Sequence, residues 1–471
     1  MKKIFNLFII HIIILKYVIS YLIYPFKTRQ SQIKNTDKNI TLLFRSLVDN
    51  HIFITIEIGD PKQTVEIFLR SDSYDFYLSD KTKNDINTNS SNPYMFDVNS
   101  DLNNFYNKNE SYSYEITNKS RLDFKAGDHR GNISYDYIYF TTNLNQSLKA
   151  KFPFILYNTT LGNIPGVMGI KAVKHQTQKE YNFIDKLKLN DIINSYFWMI
   201  NYTSDYEGNF IIGEQPHIFD PTNYNEEKLF TSYPFLNNGF NDWGLIFNEI
   251  MFKGRNFRPY HECYFRYELN YIKGIHDVEK ELDIYFNESI QNKTCFKEDG
   301  FYPYSPRRFF YCDKDKYKDN IKYFPPIEFY HKDLNYTFEM NYKDLFIEKH
   351  DKLILMIFFD EYSLHWDLGK PFLRKYSFLM NQDSKILGFY HKRNINDNNE
   401  NNDNNNEHND NIINNQNDNN LILKIVLVCL GVIVLLILGI FIDIYFFKDK
   451  KKHINTIDDE YDYTAKNEEI N

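Results

Sequence analysis

A mostly β head followed by one C-terminal membrane-crossing helix is the fold class that this 471-residue sequence predicts. Three observations carry it. Apolar and polar residues alternate at Ile52 to Ile58 and again from Ile133 to Phe140, the period of half-buried strands. Tyr and Phe contribute 38 and 41 residues, and such rings pack well across neighbouring strands. Ile425 to Ile442 is uninterrupted and apolar, and at about 1.5 Å per residue it spans roughly 27 Å, the depth of bilayer hydrocarbon.

Taken in order, the chain begins with Lys2 and Lys3, then an apolar run from Ile4 to Ile19 and small Ser20. A basic head, hydrophobic middle and small residue predict a secretory signal over residues 1–24, with an uncleaved anchor as the alternative. Residues 25–49 are expected to be a short segment ahead of the folded head. A helical stretch is expected around Phe183 to Ile193, and the Tyr-, Lys- and Asp-rich section from Tyr285 to Lys322 is expected to be a surface loop. Residues 393–420 are almost entirely Asn, Asp, Glu and Ile, too polar to offset their ordering entropy, and predict a disordered stalk. As a random coil it would hold the head on the order of 30 Å from the bilayer. The membrane helix is assigned to residues 421–447. Lys448, Lys450, Lys451 and Lys452 follow it, so positive-inside bias puts residues 448–471 in the cytosol. The expectation is a single-pass type I protein with its head in the secretory lumen, an apical organelle or outside. The acidic run Asp458 to Tyr463 reads as a solvated tail, with adaptor contact or phosphorylation as the alternative.

Formal net charge is −8, which argues against nucleic acid as a partner. Cys429 lies within the membrane run and leaves Cys263, Cys295 and Cys312 for the head. That is one bridge and one free thiol. Cys295 with Cys312 closes the shortest loop and is the preferred pair, although either can instead take Cys263. No Cys/His cluster has metal-ligand spacing, and no nucleotide-binding, Ser-His-Asp or Cys-His arrangement stands out, so no metal or cofactor is expected. His51, His129, His261, His276 and His365 are dispersed and read as surface or loop histidines. The sequons at Asn118 and Asn158 are what chance supplies in an Asn-rich chain.

The most informative stretch is Ile52-Phe53-Ile54-Thr55-Ile56-Glu57-Ile58-Gly59-Asp60-Pro61-Lys62-Gln63-Thr64, followed by Val65 to Leu69 and then Arg70-Ser71-Asp72-Ser73. It resembles the opening of pepsin-like aspartic proteases, most closely the plasmepsin branch, in which Gly-x-Pro-x-Gln precedes a strand ending in Asp-Thr-Gly-Ser. The resemblance puts Arg70 on the catalytic aspartate, Ser71 on Thr, Asp72 on Gly and Ser73 on Ser. It continues through Gly127 to Asp136 as the flap hairpin, with Phe124 in place of the flap tyrosine. Gly166-Val167-Met168-Gly169-Ile170 fits the element beneath the first loop. Trp366 to Tyr376, with Ile386-Leu387-Gly388-Phe389, fits its counterpart in the second half. Cys263-Tyr264-Phe265 and Gly274 place Arg266 on the second catalytic aspartate. The implied architecture is bilobal, with lobes at residues 50–215 and 216–392. The family's usual second-lobe bridge lacks its later cysteine near Leu355, and Asp367 stands where the family has an apolar residue.

In that family, hydrolysis uses two close carboxylates sharing a proton. Arginine stays charged and has no lone pair to accept a proton, so the resemblance implies lost catalysis. A retained cleft would hold an extended peptide or protein without cutting it, in an adhesion, receptor or scaffold role, with Phe124, Gly127, Ser73 and Tyr77 as contact residues. Two buried arginines need partners, and Asp72 and Glu268 stand at the same offset from each. The expectation is a reciprocal clasp of Arg70 with Glu268 and Arg266 with Asp72. Three alternatives stay open: the charged side chains are simply solvated; both arginines clamp an anion; or both loops slip by two residues, making Asp72 and Glu268 a displaced catalytic pair. The slip would set Tyr74 where a glycine is needed.

Overall fold

The computed structural model describes residues 21–29, 47–48, 51–80, 104–123, 129–157, 164–173, 179–234, 242–257, 259–302, 305–360 and 363–391. The expected stalk, membrane run and cytoplasmic tail, most of the signal segment, and the flap residues Phe124 and Gly127 lie outside the described residues. Among the described residues no helix is long and apolar enough to cross a membrane.

The predicted alternation becomes strand. In His51–Ile58, Ile52, Ile54, Ile56 and Ile58 turn into the core while Thr55 and Glu57 face out. This strand pairs antiparallel with Gln63–Arg70, setting Phe53 opposite Phe68 and Ile54 opposite Ile67. Gln63–Arg70 then runs parallel to Gly166–Gly169. Phe76–Ser79 lies antiparallel to that strand and parallel to Ser147–Tyr157. The second half repeats the plan: His261–Phe265 is parallel to Trp366–Leu368, and Ile272–Gly274 is parallel to Ile357–Asp360. Each half therefore presents one loop, beginning at Arg70 or Arg266, between crossed strands. The flap is a long hairpin of Glu115–Asp123 with His129–Thr141.

The halves share a sheet. Phe197–Tyr202 pairs on one side with Glu207–Ile212 and on the other with Phe378–Asn381. Ile386–Tyr390 and Leu229–Ser232 extend the same sheet, so the last of the described strands close onto the first lobe. One apolar core runs through both lobes. At its centre Trp198, Trp243 and Tyr267 are fully buried, with Trp198 edge-on to Trp243 at 6.0 Å and tilted to Tyr267 at 6.2 Å.

The folded head begins earlier than residue 50. Leu22–Arg29 is a strand between Glu207–Ile212 and His51–Ile58, so the segment set apart as a leader and pre-domain contributes to the sheet. Leu47 and Val48 are buried against second-lobe residues Tyr271, Phe309, Tyr311, Ile354, Met356 and Phe358, and the Asn270 N–H donates to the Val48 carbonyl at 3.0 Å.

The section from Tyr285 to Lys322 is not a surface loop. It completes helix His276–Gln291 and forms a hairpin of Cys295–Tyr302 with Ser305–Asp313. Phe309, Phe310, Tyr311 and Cys312 are buried on both faces of that hairpin, and a strand covered on both sides shows no alternation to read. Buried Glu279 ties helix to hairpin, accepting from Arg308 at 2.5 and 2.9 Å and pairing with Lys297 at 3.0 Å. The preferred disulfide Cys295–Cys312 joins directly opposed residues, and Cys263 is a buried free thiol. The predicted helix is Phe183–Leu189, started by the Asn182 side chain, which accepts from the Asp185 N–H.

Candidate functional site: the paired loops

Glycines permit the close approach of each loop to its neighbouring strand. A Cβ on Gly169 would stand 2.4 Å from the Ser73 carbonyl oxygen, and one on Gly369 would stand 2.1 Å from that of Tyr271. The backbone then ties down: Ile170 N–H donates to the Arg70 carbonyl and Lys171 N–H to that of Ser73, both at 2.9 Å. In the second lobe Arg266 N–H donates to the Leu368 carbonyl at 3.0 Å, and Lys370 N–H to that of Leu269 at 2.8 Å.

Arg70 closes on its own loop. Its Nε donates to Asp72 Oδ1 at 2.7 Å and its Nη2 to Oδ2 at 2.5 Å, a forked pair. Burial pulls its pKa down, but Asp72, with weaker help from Tyr77 and Glu268, more than reverses this and the net shift is upward. The guanidinium remains charged. It faces His51, whose pKa is pushed down to about 3 by burial and by Arg70 itself.

Arg266 is bound differently. Nη1 and Nη2 donate to the two oxygens of Asp242 at 3.0 and 3.2 Å, and Nε to Asp367 Oδ1 at 3.3 Å. Asp242 also pairs with Lys171 of the first lobe at 3.1 Å, so this carboxylate stands between cations of both lobes. Beside it the Trp243 Nε1–H donates across the junction to the Ile170 carbonyl at 3.1 Å. Asp367 in turn meets Lys273 at 2.6 Å. Burial raises the Asp367 pKa, but Lys273 and Arg266 hold it below the usual carboxylate range. The charge that looked misplaced in the sequence is therefore a shared partner of two cations.

The reciprocal clasp is corrected by these contacts. Arg70 takes Asp72 rather than Glu268, and Arg266 takes Asp242 and Asp367 rather than Asp72, because a forked partner lies within reach in each lobe. Glu268 does cross the junction, but to a hydroxyl: its Oε2 accepts from Ser71 Oγ at 2.5 Å and from Ser71 N–H at 3.2 Å. Burial first and Asp72 second push the Glu268 pKa up, against the opposing pull of Arg266, Ser71 and Arg70.

Ser73 lies in the loop turn, its Oγ accepting from the Asp75 N–H at 3.3 Å. Tyr77, expected as a cleft contact, is 4% exposed and edge-on to Tyr157 at 5.2 Å within a cluster with Phe53 and Phe68. It is a core residue because its strand is covered on both faces. His51 and His261 are likewise buried strand residues rather than surface or loop ones, and His365 packs beside Lys273 at 3.0 Å. Sequence reasoning missed Asp242, Lys171 and Lys273, and placed Ser71 in the first loop without its bond to Glu268. Asp242 lies 24 positions from Arg266 in sequence, and no local pattern links them.

Below the flap, Arg121 anchors the hairpin to the first loop. It pairs with Asp75 at 3.3 Å and lies over the rings of Tyr74 and Tyr181.

Comparison with known proteins supports this architecture. Residues 51–391 match a family model described as eukaryotic aspartyl protease. Among solved structures, basic 7S globulin from soybean aligns with a TM-score of 0.54 at 11% identity, over 79% of this chain and 95% of that one. At that identity the likeness is one of fold. No curated protein matches the sequence. With the match covering both lobes and both paired loops, the chain belongs to the eukaryotic aspartyl protease family.

Proposed function

We propose that this chain is a catalytically inactive, plasmepsin-like member of its family, anchored to a membrane by residues 421–447, whose interlobe cleft binds an extended peptide or protein segment without cleaving it. The carrying observation is the state of the two loops. Arg70 and Arg266 stand at matching places in the two lobes, and each is locked by forked bonds to a carboxylate, Asp72 or Asp242. Peptide hydrolysis in this family needs a proton shared between two carboxylates and a water between them. Here the first loop's carboxylate is committed to a guanidinium, and Glu268 is committed to Ser71. Binding asks less: apolar walls and backbone donors suffice. The second lobe already holds Leu47 and Val48 of the N-terminal segment in this manner, through an aromatic and aliphatic wall and the Asn270 N–H.

The second reading is an endopeptidase with Asp72 and Glu268 as displaced carboxylates. What favours it is the nearness of the two carboxyl groups, by which Asp72 pushes the Glu268 pKa up. The test is peptide-library cleavage by the full-length protein from acid to neutral pH, beside the Asp72→Ala plus Glu268→Ala double variant, with library binding scored in parallel. Binding without cleavage is the expected result. Cleavage abolished in the double variant would establish the displaced pair.

A further inference from the structure

Glu268 differs from every other carboxylate at the loop junction. Asp72 holds the Arg70 fork, Asp242 holds Arg266 and Lys171, and Asp367 holds Arg266 and Lys273. Both arginines that face Glu268 are thus already matched by another carboxylate, while Glu268 itself accepts from the hydroxyl and the N–H of one serine of the opposite lobe. The groups facing it are Ser71, Asp72 and Arg70 from the first loop and Arg266 from its own. Ser71 is 1% exposed, so water does not compete for that contact.

We propose that Glu268 is a proton-operated latch between the lobes, drawing the two loops together when protonated and loosening them when ionised. The physical reason lies in Asp72. An ionised Glu268 repels the Asp72 carboxylate across the junction. A neutral one removes the repulsion, still accepts from Ser71, and gains an O–H able to donate toward the opposite loop. Burial and Asp72 both favour the neutral form, so the change falls above the ordinary glutamate value of 4.5. The cleft floor is therefore tighter below the pH at which Glu268 takes up its proton and looser above it, whatever the cleft binds.

The test is hydrogen exchange of the full-length protein over residues 70–75 and 266–270, corrected for intrinsic rates. Between about pH 7.5 and about pH 5, wild-type protection at the Ser71 amide should rise by about fivefold, the sign of a local opening closed by a proton. In Glu268→Gln, a neutral mimic with both an acceptor and donors, protection should already be high and flat with pH. An unchanged slope in Glu268→Gln, or a flat wild type, overturns the latch. A measurement needing no variant runs beside it: carbon-13 titration of labelled glutamates in the wild type. One carboxyl should titrate above 4.5 in step with the Ser71 amide shift; a Ser71 amide that does not move with any carboxyl also overturns it.

Discussion

At the scale of single residues, the loops show how permanent charge is accommodated where a carboxylate chemistry is read from family resemblance. Asp242 is the most deeply buried carboxylate of the loops, with only 3% of its side chain exposed between Lys171 and Arg266. Asp242→Ala should lower stability by about 3 to 5 kcal/mol, since removing one partner of a buried pair strands the others. The shift of the urea midpoint measures it, and a shift within error of zero would show that solvent replaces the pair. His51 gives a prediction in pH. Its folded pKa, near 3, lies below the ordinary 6.5, so its contribution is present above 6.5 and is lost as pH falls toward 3. Across that window the wild type should lose about 1.4 kcal/mol per pH unit relative to His51→Phe. Denaturant midpoints for both proteins at several pH values check the slope.

At the scale of elements, the hairpin Cys295–Tyr302 with Ser305–Asp313 is held at its base by the disulfide and along its length by Glu279. The bridge closes a short loop, and its loss through Cys295→Ser plus Cys312→Ser should cost about 3 kcal/mol in the chain-entropy account. Trypsin should then cut sooner at Lys297, Arg307 and Arg308. If the cutting rate is unchanged, the helix and the ion pairs suffice to hold the hairpin. This element was misread as a loop because its polar residues, among them Lys297, Glu298 and Asp299, suggested solvent. Asp299 is exposed, but the other two are met by neighbours, Lys297 by Asp283 and Glu279, and Glu298 by the Tyr311 hydroxyl. The strand Gln63–Arg70 was legible for the opposite reason: its buried Val65, Ile67 and Leu69 alternate with residues less covered at its start.

At the scale of the molecule, the two lobes are joined structurally, because the last described strands return to the first lobe's sheet and the core is continuous through Trp198, Trp243 and Tyr267. Aspartates placed at both Arg70 and Arg266 should therefore not yield a working protease. They would leave Asp72, Asp242 and Asp367 facing new like charges, and the double variant should unfold at lower denaturant by about 3 kcal/mol or more. Peptide cleavage by that variant, with its midpoint unchanged, would refute the view that the charge network is integral to the fold.

The sequence by itself determined the strand periods and made Cys295–Cys312 the preferred of the open pairings, and the family resemblance placed the two loops, their arginines, Gly169 and Gly369. Strand period and loop length are readable because they act over a few residues. Only the tertiary structure decided who neutralises whom. Asp242 reaches Arg266 across 24 positions and Ser71 reaches Glu268 across 197, and a Coulomb interaction depends on distance in space, which chain separation does not encode. The same holds for Leu22–Arg29, whose eight residues read as the end of a leader and the start of a pre-domain segment until Glu207–Ile212 and His51–Ile58 offer their unpaired edges.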